Sequence, residues 1–424
     1  MVAVPHRQPL GQSAAGVRVA VVDDSVVVRG LLSRWLSETS GIEVVGTYRS
    51  GKEIIDALPG VNPRIILLDL DMPDMDGLTA LPLILSKSPS SRVIVVSSLS
   101  VHGAELTMRS LMKGATDYLP KPSNHREVST SADFRQALIA KVLAVGGVRA
   151  AMRAPAARAP TAPASPAPIG RSPAQPLDPL RRNAPPPAAA PAQPASPVAP
   201  FRPAPARPHT PQGVVEKGGQ PHLRALERIR PKIVVIGAST GGPQALLAML
   251  TKMRGSISRV PVVIAQHMPP IFGAIFASHL KQHGGLPAEE AAEGKVLMPG
   301  TIYLAPGGSH TVIKRKADGS HVISMLPPEA RGPWRPSIDL LFTSAAETFG
   351  NEALAIALTG MGRDGTEGAT HLARRGANVA VQDEASSVVW GIPGSIAEAG
   401  LASALHPPEK LGELAVALLE GHAP

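Results

Sequence analysis

A serine between glycines, a histidine closing an apolar run and an aspartate in a glycine-rich turn are the residues best placed for covalent chemistry in this chain. The stretch Lys232-Ile-Val-Val-Ile-Gly-Ala-Ser-Thr-Gly-Gly-Pro243 reads as a buried strand that breaks at Gly237 and enters a helix through a glycine pair. Gly237-Ala-Ser239-Thr-Gly241 has the G-x-S-x-G form of a nucleophile turn, in which small neighbours let the hydroxyl stand clear and backbone N–H groups face a developing oxyanion. A phosphate cradle at a helix N-terminus is the competing reading, although no G-x-x-x-x-G-K-[ST] or G-x-G-x-x-G pattern accompanies it. Serine is a weak nucleophile at neutral pH, so a histidine must take its proton and a carboxylate must orient that histidine. His267 closes the run Val260–Gln266, before Met268-Pro269-Pro270, and Asp364 lies in Thr359-Gly-Met-Gly-Arg-Asp-Gly365, directly after the run Ala353–Leu358. Singly each has a commonplace reading, because most of 13 histidines are surface or packing residues and Asp-Gly is a common turn pair. Together they make Ser239, His267 and Asp364 the expected triad.

A second set of polar residues lies in the first third of the chain. Asp23-Asp24, Asp69, Ser97-Ser98 and Lys121-Pro122 stand at the ends of successive apolar runs. In open parallel sheets ligands bind beyond the carboxyl ends of the strands. Three carboxylates gathered there would repel one another unless a hard cation sat among them, and Mg²⁺ suits a few carboxylates with water and phosphate oxygens. A lysine and a hydroxyl beside it would pair with phosphoryl oxygens.

The elements that must position these residues follow from the apolar pattern. Val17–Asp24, Ile42–Tyr48, Arg64–Asp71, Arg92–Ser98 and Thr116–Pro120 read as strands, with few polar breaks, hence buried on both faces of a parallel sheet covered by helices. The same rhythm resumes with Lys232–Ala238, Val260–His267, Thr301–Ala305, Ala353–Met361 and Asn378–Gln382, with helices such as Pro243–Met253 and Gly365–Arg374 between them. Two doubly wound α/β domains are expected, 17–145 and 228–424, after a flexible start at 1–16. Between them, 146–227 reads as a disordered linker: Ala151 to Pro211 holds 19 of 45 prolines with almost no large apolar side chains. The net charge of +9 divides as +1 over 1–145, +10 over 146–232 and −2 over 233–424, so the basic excess belongs to the linker and no folded face is marked for nucleic acid. Absence of cysteine excludes disulfides and thiolate chemistry. With neither a signal-like start nor an apolar run near 18 residues, a cytoplasmic protein without membrane insertion is expected.

The acidic set and its strand order resemble the receiver domains of bacterial two-component systems, over roughly Val17 to Val145. The resemblance implies that Asp69 is the phospho-acceptor, that Asp24 and Asp69 bind Mg²⁺ with Asp23 nearby, and that Ser97, Lys121 and the aromatic Tyr118 sense the phosphoryl group. Asp71 stands where the most similar receivers usually carry Glu, a position that contributes chiefly its carbonyl. In the second half, Ser, then His, then Asp is not the chain order of α/β-hydrolases. Gly-Ala-Ser-Thr-Gly-Gly, Gln266-His267-Met268-Pro269, Ala305-Pro306-Gly307-Gly308, Arg335-Pro336-Ser337-Ile338-Asp339 and Thr359-Gly-Met-Gly-Arg-Asp-Gly together resemble the chemotaxis protein-glutamate methylesterases, the CheB family, from Pro231 to about Leu419. That resemblance implies hydrolysis of γ-glutamyl methyl esters on the cytoplasmic domains of methylated chemoreceptors, deamidation of certain receptor glutamines, a chemotaxis histidine kinase as phosphodonor, and no cofactor for the hydrolytic step.

Under it, the backbone N–H groups of Thr240 and Met361 are the oxyanion-hole candidates. His310 is expected in a surface loop and Asp339 in the first turn of a helix; Gly394 stands where relatives commonly carry a basic residue. The unphosphorylated receiver is expected to cover the Ser239 cleft, on a tether of about 80 residues spanning roughly 50 Å. The rival organisation is a receiver fused to a noncatalytic output module.

Overall fold

The computed structural model describes residues 16–122, 131–147 and 221–422, so the flexible start and the linker over 148–220 lie outside the described residues. The first apolar runs form β1 (Val17–Val22), β2 (Ile42–Tyr48), β3 (Ile65–Asp69), β4 (Arg92–Ser98) and β5 (Asp117–Lys121), all parallel, in the order β2-β1-β3-β4-β5. Every residue of β3 is buried, as a strand covered on both faces requires. Around the sheet lie α1 (Val26–Ser37), α2 (Gly51–Val61), α3 (Gly77–Lys87), α4 (Val101–Met112) and α5 (Ala132–Val145). Side-chain oxygens of Ser25, Ser50, Asp76, Ser100 and Ser131 accept backbone N–H groups at their starts, which satisfies donors that have no partner within a helix.

The second domain is a seven-stranded sheet of parallel pairs, in the order β14-β13-β12-β6-β7-β9-β8. Its strands are β6 (Ile233–Ala238), β7 (Val262–Gln266), β8 (Ala288–Glu290), β9 (Ile302–Leu304), β12 (Ala353–Ala357), β13 (Asn378–Gln382) and β14 (Ala404–His406). β10 (His310–Arg315) and β11 (His321–Leu326) form a separate antiparallel hairpin. The helices are α6 (Gly242–Met253), α7 (Phe272–Gly284), α8 (Ile338–Phe349), α9 (Thr366–Arg374), α10 (Ile392–Glu398) and α11 (Pro408–Glu420). Alternate residues of the central strand face opposite layers. Val234 and Ile236 pack with Leu246, Phe272 and Leu411, whereas Ile233 and Val235 pack with Leu341, Leu372 and Ile396. The chain runs outward from β6 through β7 to one edge, then crosses to β12 and the other edge. The crevice at the end of β6 is therefore the switch point at which such sheets bind ligands.

Residues 221–227 depart from the linker reading. Arg224 donates to the carbonyls of Ala373, Ala377 and Leu401, the Glu227 amide donates to Asn378 Oδ1, and beyond them Arg230 donates to the Leu419 carbonyl. Carbonyls left over at the ends of α9 and α11 supply acceptors that ordinary linker charges would lack. Among the described residues, no helix is long and apolar enough to cross a membrane.

Candidate active site

Parallel pairing of β6 with β7 sets Ala238 opposite Gln266, so Ser239 and His267 leave the sheet side by side, and the His267 amide donates to the Ala238 carbonyl at 3.0 Å. His267 Nε2 lies 2.8 Å from Asp364 Oδ2. Its other nitrogen, Nδ1, is buried without a hydrogen-bond partner among the described residues. The carboxylate fixes the tautomer: Nε2 carries the proton donated to Asp364, and Nδ1 keeps its lone pair. Ser239 and His267 are therefore neighbours with no hydrogen bond between them, a contact that commonly tightens only when substrate is bound.

Asp364 is held by the start of α8. Its Oδ1 accepts from the Asp339 amide (3.0 Å) and the Ser337 hydroxyl (3.2 Å), and Oδ2 accepts from the Ile338 amide (2.7 Å) as well as from His267. Burial pushes the Asp364 pKa up, but the hydrogen bond and charge of His267 and the amides of Ile338 and Asp339 outweigh it, and the carboxyl lies below its ordinary value. Asp339 returns the arrangement: in the first turn of α8, its Oδ1 accepts from the amides of Gly365 and Gly368, each at 2.9 Å, at the start of α9. Burial, with the Asp364 charge adding to it, holds Asp339 above its ordinary value against the Gly368 amide and Arg331. Two carboxylates thus cap each other's helices.

His310 corrects the expectation of a surface loop. It begins β10, is wholly buried, accepts the Ser337 amide on Nδ1 (3.1 Å) and faces the Pro328 carbonyl through Nε2 (3.2 Å). The apolar Val-Ile that follows continues as a strand, and the imidazole is drawn in by a backbone donor at the start of α8.

The nucleophile turn is pinned by residues the sequence did not single out. Buried Gln266 donates from Nε2 to the carbonyls of Ser239 (2.9 Å) and His267 (3.2 Å). The Thr359 carbonyl accepts the Ser239 amide at 3.0 Å, and the Thr359 hydroxyl donates to the Thr240 carbonyl at 2.9 Å. Gly237 is required by close approach, since a Cβ there would stand 2.4 Å from Ile338 of α8; Gly241 is required by its φ of 75°. Thr240 is buried and Met361 half-buried. A Cβ on Gly360 would come within 2.8 Å of Ser239 Cβ, so the turn that carries Met361 passes directly against Ser239. Trp334, also not singled out, stacks on the His267 ring with centroids 5.3 Å apart and planes 5° from parallel.

At the other site, ligand atoms of Asp23, Asp24 and Asp69 lie within 4.8 Å of one another. Asp23 and Asp69 are buried and Asp24 is exposed. Lys121 Nζ bridges Asp23 Oδ2 (2.8 Å) and Asp69 Oδ2 (2.7 Å). Burial, with the Asp23 charge adding to it, pushes Asp69 up to about 6 against Lys121. One ammonium for three carboxylates leaves an excess of negative charge, which fits a hard divalent cation. The Ser97 hydroxyl is hydrogen-bonded to the Thr107 hydroxyl, at 2.5 Å. Tyr118 is buried and stacks on Phe272, centroids 4.8 Å apart, where β5 meets the start of α7. Gln244, in the first turn of α6, donates to the carbonyls of Leu111 (3.0 Å) and Ala115 (2.5 Å) of the first domain. Both contacts fall on helices that begin just after Ser239 or His267.

Comparison with known proteins agrees with both halves. Residues 19–133 match the response regulator receiver domain model, and residues 234–415 match the CheB methylesterase model. A protein-glutamate methylesterase/protein-glutamine glutaminase of group 2 operon from Bradyrhizobium diazoefficiens is 40% identical over 405 residues, 95% of this chain and 94% of the relative. The protein-glutamate methylesterase/protein-glutamine glutaminase 1 of Rhodospirillum rubrum is 41% identical over 396 residues, 92% of each chain. The catalytic domain of the Thermotoga maritima CheB methylesterase, 35% identical with a TM-score of 0.43, is covered in full by 45% of this chain.

Proposed function

This chain belongs to the CheB family of receiver-linked methylesterases, and from that we propose that it hydrolyses glutamyl methyl esters, and deamidates certain glutamines, on chemoreceptor cytoplasmic domains through Ser239, His267 and Asp364. The observation that carries the reading is the His267 ring: Nε2 is committed to Asp364 and Nδ1 keeps a buried lone pair beside the nucleophile turn. Nδ1 takes the Ser239 proton as Oγ attacks the ester carbonyl, and Asp364 stabilises the cation that results. The carbonyl oxygen, now negative, is met by the N–H groups of Thr240 and Met361, worth about 2.7–4 kcal/mol per donor. Collapse returns the proton from Nδ1 to the leaving methoxide, or to the leaving amine in deamidation, and leaves a glutamyl ester on Ser239. Water, deprotonated by the same nitrogen, attacks that ester, and the proton goes back to Ser239 with release of glutamate.

The receiver governs this step. Asp23, Asp24 and Asp69 would hold Mg²⁺, whose charge offsets that of the phosphoryl oxygens. Asp69 accepts the phosphoryl group from a histidine kinase, and Lys121 and Ser97 engage its oxygens, Ser97 leaving Thr107 to do so. In the unphosphorylated chain Tyr118 and the Leu111–Ala115 turn rest on Phe272 and Gln244, in the first turns of the helices that follow His267 and Ser239. We assign the receiver to 17–145, the tether to 146–227 with 221–227 strapped to the catalytic domain, the enzyme to 228–424, and the whole to the cytoplasm.

Methanol release from methylated receptor tests the assignment. The native chain releases methanol, Ser239→Ala does not, and a small fluorophosphonate labels the chain only where Ser239 is present. Undiminished release by Ser239→Ala would remove the mechanism.

A further inference from the structure

We propose that Trp334 is a positioning residue for the general base: its indole, lying flat on His267, holds the imidazole in the plane that joins Asp364 to Ser239. The inference rests on the reading of His267 as that base. A ring tied by one hydrogen bond can still pivot about it, and His267 has one, from Nε2 to Asp364. Its plane needs a second restraint. The indole supplies it, with centroids 5.3 Å apart and planes within 5° of parallel, inside the range of favourable offset stacks.

Trp334 is itself held by the parts that hold the acid. Three residues before it, Arg331 pairs with Asp339 (3.2 Å) and with Glu367. Three to five residues after it, Ser337, Ile338 and Asp339 donate to Asp364. A Cβ on Gly362 would touch the indole at 3.6 Å, so the same ring leans on the turn of the oxyanion candidate Met361. One segment, 331–339, therefore fixes the acid from below through its amides and the base from outside through an aromatic face. The placement also explains an exposure: Trp334 is 38% exposed while the His267 side chain it covers is 8% exposed. An indole face is in addition a favourable neighbour for the charge that appears on imidazole when Ser239 loses its proton.

The full chain, treated with beryllofluoride and Mg²⁺ so that the receiver is in its phosphorylated form, is compared with Trp334→Ala, Trp334→Leu and Trp334→Phe. Three quantities are read: the rate of Ser239 labelling by a small fluorophosphonate, which has no receptor to dock, kcat and KM on methylated receptor, and the melting temperature. Trp334→Ala should lower both the labelling rate and kcat by roughly 10- to 100-fold, the scale of a misplaced catalytic group, with KM little changed. Trp334→Phe should restore most of the loss and Trp334→Leu, similar in bulk without a ring face, should not. A rise in KM with labelling and kcat intact would overturn the proposal in favour of a receptor-docking residue. Equal rescue by Leu and Phe, or a loss of activity that only follows a fall in melting temperature, would overturn it too. Absence of labelling in the unmodified chain would instead strike at the serine-hydrolase reading itself.

Discussion

Asp364 carries two duties on four lone-pair positions, and a change of one atom separates them. Oδ2 is shared by His267 and the Ile338 amide, and Oδ1 by the Asp339 amide and the Ser337 hydroxyl, so every partner is a donor. Asp364→Asn turns one of these positions into a donor facing donors. The expected result is a fall in kcat of about 10⁴-fold, as for loss of the orienting acid in other triads, together with lower stability. The pH dependence has a definite sign. A carboxyl whose folded pKa lies below its unfolded one stabilises the fold above the unfolded value, and that contribution is lost as pH falls through the folded value. Denaturant titrations of native chain and Asp364→Asn between pH 7 and 3 should therefore converge as the pH is lowered; a constant gap would show that the charge is not what α8 responds to. Asp339 has the opposite sign, being raised, so its contribution is present at low pH and is lost as pH rises through its folded value. Asp339→Asn keeps an acceptor for Gly365 and Gly368 and should cost less than about 1 kcal/mol, whereas Asp339→Ala strands two buried amides and should cost about 1–3 kcal/mol each.

The start of α8 is the element on which the site turns. It is secured from behind by His310, whose Nδ1 takes the Ser337 amide. His310→Leu fills the same space without an acceptor. It should lower stability by about 1–3 kcal/mol and lower kcat through Ser337 and Asp364, while His310→Gln, which can still accept, should do less on both counts; equal effects would place the role of His310 in packing alone. This element also shows where sequence reading reaches its limit. Runs such as Ile233–Ala238 and Ile65–Asp69 are legible because a strand buried on both faces must be apolar throughout. β8 and β14 are three residues each, too short to display any period or to read as strands from sequence, whereas the equally short β9 lies inside the apolar run Thr301–Ala305. β10 and β11 do not alternate in type or burial, and His310, which counts as polar in any pattern, is buried where the amide of Ser337, 27 residues away, meets its ring. The positions of Ser239, His267 and Asp364 follow for a related reason: each comes after a strand, so topology delivers them to a common edge. Trp334, Gln266 and Thr359 touch that edge from loops and strand ends whose conformations no local spacing announces.

At the scale of the whole molecule, the two domains share buried apolar packing, with Leu111 and Tyr118 of the first in one cluster with Leu246 and Phe272 of the second, and Gln244 is a polar contact across that boundary that can be altered without harm to either core. It lies half-buried in the first turn of α6 and donates to the Leu111 and Ala115 carbonyls across the boundary. Beside it opens a cleft of about 510 Å³, lined by Leu111, Met112, Leu247 and Lys252 among others, so the packing here is far from that of a domain core. Gln244→Glu exploits the asymmetry. A carboxylate in the first turn of a helix is favourable to α6 itself, but against two carbonyls it replaces two hydrogen bonds by repulsion. Losing about 1 kcal/mol or more of docking free energy lowers the ratio of docked to undocked chain by about fivefold or more. The unphosphorylated Gln244→Glu chain should accordingly release methanol several-fold faster than the native one, approach the native rate with beryllofluoride and Mg²⁺, and gain little from those additions. A parallel Asp69→Ala chain separates the two causes: it should stay slow with or without them, and the double variant should be fast in both. A Gln244→Glu chain as slow as native, with the same response to beryllofluoride, would mean that this boundary does not gate the serine.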